Sequence, residues 1–110
     1  MTAVVVTKDD NNRSIQVCCN QELIVRLPEN RSTGFLWAVE NPDQTALKLQ
    51  SDAFTPPAGG RIGAGGYRTL TYFALKPVEV KLNLKLRRPW EQKSTADSFS
   101  ISVRIVGPCS

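Results

Sequence analysis

The sequence predicts an all-β protein, an antiparallel sandwich of short amphipathic strands, and three observations predict it. Apolar and polar residues alternate through 78–87, so Val78, Val80, Leu82, Leu84 and Leu86 share one face. The same period recurs at Phe99, Ile101, Val103 and Ile105, with Ser98, Ser100, Ser102 and Arg104 opposite. No stretch carries a convincing 3.6-residue stripe, and turn-forming clusters separate the strands at short spacing. At 110 residues the chain has the length of one domain, expected over 1–110.

The elements follow in order. Ala3 to Thr7 is a short strand candidate. Next, Ile15, Val17 and Cys19 alternate with Ser14, Gln16 and Cys18, which places Cys19 inward and Cys18 outward. Leu23, Val25 and Leu27 form another inward set, as do Phe35, Trp37 and Val39. Thr45 to Gln50 and Tyr67 to Leu75 are further short candidates, with Leu47 and Leu49 alternatively on a helical turn after Asp43. The two long alternating runs complete two half-solvated sheets that meet around Trp37.

Composition narrows the function. The chain has fourteen Lys and Arg against ten Asp and Glu, and no histidine, for a net charge of +4. Without histidine no Ser-His or Cys-His nucleophile pair and no imidazole zinc site can be built. Carboxylate or lysine chemistry remains formally open, but the acids mostly fall in turns or on solvent faces. The chain is therefore not expected to be an enzyme, or to need a cofactor or a metal. With 41% apolar and 22% charged residues it has an ordinary globular composition. No apolar run approaches the roughly 20 residues that span a bilayer, so no membrane partner is expected.

The amino terminus has neither a basic segment nor a long apolar one, which points to a cytoplasmic or other intracellular protein. A trimmed secreted or periplasmic chain looks the same. Three cysteines, two of them adjacent, make a poor disulfide framework, and reduced thiols are the expectation. A bridge from Cys109 to Cys18 or Cys19 stays open.

Three segments break the strand pattern. Asn30-Arg31-Ser32-Thr33-Gly34-Phe35 joins two strands with small hydroxyl residues and a glycine, which turn chemistry alone explains. The stretch 59–67 holds five glycines in nine residues, ending Gly63-Ala64-Gly65-Gly66-Tyr67, and exposes backbone for close approach. No lysine or helix follows, so a phosphate cradle fits it poorly. In Arg87-Arg88-Pro89-Trp90-Glu91, proline stops a strand and leaves a tryptophan in a polar loop. Trp90 is either a lid on the core or an exposed anchor of the kind found at interface hot spots.

Together these segments resemble the chagasin family, proteinaceous inhibitors of papain-like cysteine peptidases. The family's marks are Asn-Pro-Thr-Thr-Gly with Tyr or Phe, Gly-x-Gly-Gly, and Arg-Pro-Trp or Arg-Pro-Phe. Here they stand as Asn30 to Phe35, Gly63 to Gly66, and Arg88-Pro89-Trp90, with Trp37 two residues after Phe35. Arg31 replaces the proline and Ser32 the first threonine, which loosens the loop and adds a charge at its tip.

The resemblance implies an immunoglobulin-like sandwich with the three loops gathered at one end as a wedge. Asn30, Arg31, Ser32, Thr33, Gly34 and Phe35 would enter the cleft of a cathepsin L- or B-type peptidase, above its catalytic cysteine and histidine. Gly63, Ala64, Gly65, Gly66 and Tyr67 would line the non-primed side through backbone contacts. Arg88, Pro89 and Trp90 would press on the primed side. Inhibition would be reversible, tight and non-covalent, by a chain monomeric when free.

Independently of the resemblance, Gly34 is expected at a conformation closed to other residues. Phe35 and Trp37 are expected to clamp the loop to the core, and Ser32 and Thr33 to offer hydroxyls to the partner. Arg31, Arg61, Arg68, Arg87 and Arg88 would form a basic rim that speeds encounter with an acidic cleft. Of the sequons at Asn12 and Asn30, a glycan on the second would block the wedge, so Asn30 is expected bare. Two rival readings remain: a basic β-domain binding single-stranded nucleic acid, and an immunoglobulin-like adhesion or scaffolding module. The first is the main rival, and 7% aromatic residues with no outward aromatic row count against it.

Overall fold

Strand β1 (Val4–Thr7) leads through a 3-10 turn (Lys8–Asp10) into β2 (Ser14–Cys18). Then follow β3 (Glu22–Glu29), β4 (Leu36–Glu40), β5 (Leu47–Thr55), β6 (Gly66–Ala74), β7 (Glu79–Arg87) and β8 (Asp97–Val106). The structure, a computed structural model, describes residues 3–30, 33–40, 45–56, 65–91 and 95–108. Asn12 (φ 66°) and Asn20 (φ 67°) take the left-handed turns on either side of β2, a conformation asparagine tolerates better than most residues.

The strands form two four-stranded sheets, β1-β3-β6-β5 and β2-β8-β7-β4. Most pairings are antiparallel, but β1 lies parallel to β3 and β2 parallel to β8. This departs from the purely antiparallel expectation for a topological reason. The chain leaves β1, crosses to β2 in the opposite sheet and returns to β3 in the first. The crossing strand thus replaces the helix that parallel neighbours usually need.

Alternation places the core. Val17, Leu23, Val25, Leu27, Leu84 and Val103, from both sheets, are essentially inaccessible and belong to a continuous cluster with Trp37, Phe99 and Ile101. Each such side chain contributes about 1.5–3 kcal/mol when fully buried.

Two expectations change here. Leu47 and Leu49 lie in β5 rather than on a helical turn, and that strand continues to Thr55. It is an edge strand with a register shift between Leu49 and Ser51, which breaks the period-two signal. The cysteines also differ from expectation. Cys18 and Cys19 are both buried, because β2 ends at Cys18 and frees Cys19 from alternation. Cys18 is disulfide-bonded, while Cys19 is a free thiol. Cys109 lies outside the described residues.

Candidate functional site

The register brings the stems of all three odd segments to one end of the sandwich. In the first sheet Glu29, the last residue of β3, pairs with Gly66, the first of β6, and Tyr67 pairs with Thr55 at the end of β5. In the second sheet Leu36 opens β4 opposite Arg87, and Leu86 pairs with Asp97 at the start of β8. Arg31, Ser32, Gly63 and Ala64, expected at this site, lie outside the described residues, as does Arg61.

The first segment is braced from inside. The Thr33 hydroxyl donates to the Asn30 carbonyl at 2.7 Å, and the Thr33 amide reaches the same oxygen at 3.2 Å. The hydroxyl expected to face a partner is thus turned into its own loop. Gly34 has φ +80°, the conformation that required glycine. Phe35 is only half-buried and stands apart from the apolar cluster, so it does not clamp the loop to the core. It carries the Arg88 guanidinium instead, 4.5 Å above its ring. Trp37 does anchor the loop: it is 3% exposed, and its indole N–H donates to the Pro28 carbonyl at 2.8 Å.

The third segment folds against the first. Pro89 and Trp90 form the centre of a turn closed by the Glu91 amide on the Arg88 carbonyl at 3.0 Å. Arg88 Nε donates to the Thr33 carbonyl at 3.3 Å, and Arg88 Nη1 pairs with Glu91 at 3.5 Å. Trp90 is 69% exposed, which settles its place outside the core. Its six-membered ring covers Gly34: a Cβ at that residue would fall 2.7 Å from Trp90 Cη2.

In the glycine segment, Gly65 is exposed with open space around it. Gly66 is glycine for another reason than exposure. A Cβ there would strike the Thr55 carbonyl and come within 2.7 Å of the Phe54 ring. Tyr67 is exposed on the outer face, with the Arg26 guanidinium 4.4 Å from its ring centre.

Sequence reasoning missed one feature of this end. Glu29 is buried, and its carboxylate accepts the Trp37 amide at 2.8 Å and Arg68 Nη1 at 3.1 Å. Arg68 also holds Asp52 through two hydrogen bonds, one at 2.7 Å. These bonds to Asp52, more than any other cause and against the pull of burial, raise the Arg68 pKa further. Arg68 therefore belongs to an internal ion network and not to a basic rim. The signal was present in the parity: position 29 continues the inward row 23, 25, 27, and position 68 the inward row 66, 70, 72. Among the described residues no cluster of three metal-ligating side chains occurs, and no helix is long and apolar enough to cross a membrane.

Residues 16–105 match the model of the chagasin family of peptidase inhibitors. Chagasin of Trypanosoma cruzi is 29% identical over 105 residues, covering 90% of this chain and 94% of its own. The crystal structure of a cysteine protease inhibitor from Entamoeba histolytica superposes with a TM-score of 0.83 at 26% identity, covering 94% of this chain and 95% of that one. A more distant structure, PbICP-C in complex with falcipain-2, shares the fold with a TM-score of 0.65 at 10% identity, covering 96% of this chain and 99% of that one. With a family model spanning most of its length and the fold to match, this chain belongs to the chagasin family, as a cysteine protease inhibitor and not an enzyme.

Proposed function

We propose that the chain blocks papain-like cysteine peptidases of the cathepsin L and B type reversibly, tightly and without a covalent bond, using the three loops as one edge. The observation that carries this reading is the exposed Trp90 resting on Gly34. An indole so exposed offers a large apolar surface to a partner, and its support by the first loop means little ordering on binding. The Arg88 bond to the Thr33 carbonyl ties the same two loops from beneath. A peptidase needs an accessible carbonyl held in near-attack geometry. In a braced loop the Asn30 carbonyl oxygen is engaged by Thr33 and the Thr33 carbonyl oxygen by Arg88, so neither oxygen is free to turn into a peptidase's oxyanion hole. Asn30 to Phe35 would fill the cleft centre, Gly63 to Tyr67 its non-primed side and Arg88 to Trp90 its primed side.

For location the amino terminus alone favoured an intracellular protein, but the disulfide at Cys18 leads us to propose the secreted or periplasmic alternative, because a disulfide persists more readily in an oxidising compartment than in the reducing cytosol. The functional reading is tested by titrating the protein against papain with a fluorogenic peptide. Stoichiometric, dilution-reversible loss of activity is the expected outcome, and full activity at micromolar protein rules the reading out.

A further inference from the structure

We propose that Glu29 is a positioning residue, resting on the inhibitory reading above: its buried carboxylate sets the first loop and the glycine loop in a fixed relation to each other. Glu29 is the buried charged residue among the described residues, and its side chain is fully enclosed. It sits where β3 gives way to the first loop, in the inward row of Leu23, Val25 and Leu27. A leucine at that position would extend the row. A buried ion pair offers little net stability over such packing. What the carboxylate adds is direction.

Three elements converge on it. The two stems of the first loop belong to different sheets, so no ladder joins them at this point. Glu29 supplies the missing link by accepting the Trp37 amide from β4 at 2.8 Å. Arg68 approaches from β6, two residues after Gly66, and pairs with the same carboxylate. Its guanidinium continues to Asp52 on β5. Because β5 and β6 are the two stems of the glycine segment, the chain Glu29–Arg68–Asp52 ties the base of one loop to both stems of the other. The Arg68 fork fixes geometry as well as charge, since its planar donors meet carboxylates in few orientations. Loss of the carboxylate leaves the Trp37 amide and part of Arg68 unpaired in a dry site, and the stems are then free to shift.

The variant Glu29→Gln keeps the shape and an oxygen for Trp37 but removes the charge that holds Arg68. Its inhibition constant for papain is expected to rise about tenfold as preorganisation is lost. Amide exchange should quicken at both Thr33–Gly34 and Gly65–Gly66. The control is Val103→Ala, which opens a cavity well down β8 opposite Val80 and lowers the melting temperature without touching either loop. An inhibition constant within about twofold of wild type, or a rise no larger than Val103→Ala causes, overturns the proposal.

If Glu29→Gln fails to fold, Asp52→Asn takes its place, because that side chain is 38% exposed and leaves no buried orphan. Releasing the outer end of Arg68 should raise the constant about threefold, and no rise overturns the proposal. If wild type itself fails to inhibit, the inhibitory reading falls on its own. Amide exchange then decides whether Glu29 couples the two loops.

Discussion

Trp90 and Gly34 are fitted to each other: the indole lies where a side chain on residue 34 would stand, 2.7 Å from an ideal Cβ. The contact joins two segments more than fifty residues apart in sequence into one surface. Gly34 is therefore glycine twice over, once for its positive φ and once for the ring above it.

Gly34→Ala and Trp90→Ala should consequently be strongly coupled. In the wild-type background the alanine carries a backbone penalty of about 1–2 kcal/mol and also displaces the indole. With Trp90 removed, only the backbone penalty remains. Trp90→Ala alone should weaken peptidase binding by about 2–4 kcal/mol as a hot-spot truncation. Its effect on folding stability should stay within about 0.5 kcal/mol, since the ring is mostly exposed. Dissociation constants for the four proteins of the cycle check this. The double variant should bind better than the sum of the single losses by about 0.5–3 kcal/mol. Strict additivity would mean that the two residues do not share a surface in solution.

The strands were largely legible because most have one buried and one wet face. The inward row of β7, from Val80 to Leu86, and that of β8, from Phe99 to Ile105, fall where alternation puts them. β5 was only partly legible, since an edge strand has no second neighbour to enforce a pattern and its bulge shifts the phase. The parallel pairing of β1 with β3 and of β2 with β8 has no local signature, being decided by which sheet receives the crossing strand. At the site, Gly34 could be read from loop chemistry alone. Trp90 could not be assigned, because a lid and an exposed anchor leave the same trace in sequence. Glu29 was missed and Arg68 misplaced for a different reason. Charged residues are almost never fully buried unless paired, and the partner comes from a strand thirty-nine positions away.

The two adjacent cysteines should behave differently. Cys18 is disulfide-bonded, whereas Cys19 is a free thiol buried at 6% exposure. Iodoacetamide added to native protein should label Cys19 slowly, and protein unfolded without reductant should label it fully. Cys18 should resist in both conditions and react only after reduction. Peptide mass spectrometry distinguishes the two sites. Reduction should also lower stability by about 2–5 kcal/mol, the usual cost of losing a bridge in a small domain. Alkylation of Cys18 in unfolded, unreduced protein would show that no disulfide is present.

Tyr72 gives the fold a stability term confined to alkaline pH. Its ring is 1% exposed, and its hydroxyl finds no hydrogen-bond partner among the described residues. Burial, reinforced by the negative charge of Asp52 and partly offset by Arg68, pushes the phenol up to about 12. In the unfolded chain it returns to about 10. The folded state thus keeps a proton that the unfolded state releases, and the stability tied to this group is complete below about pH 10. It is lost as pH climbs through about 12, for a total of about 3 kcal/mol. Tyr72→Phe removes both the titration and the unpaired hydroxyl. It should be neutral or slightly stabilising at pH 7, where the lost group made no bond. Urea unfolding of both proteins at neutral pH and at successive steps above pH 10 checks this. The advantage of the phenylalanine variant should widen with pH, and a constant difference across the series would mean that the phenol titrates in the folded protein as it does in water.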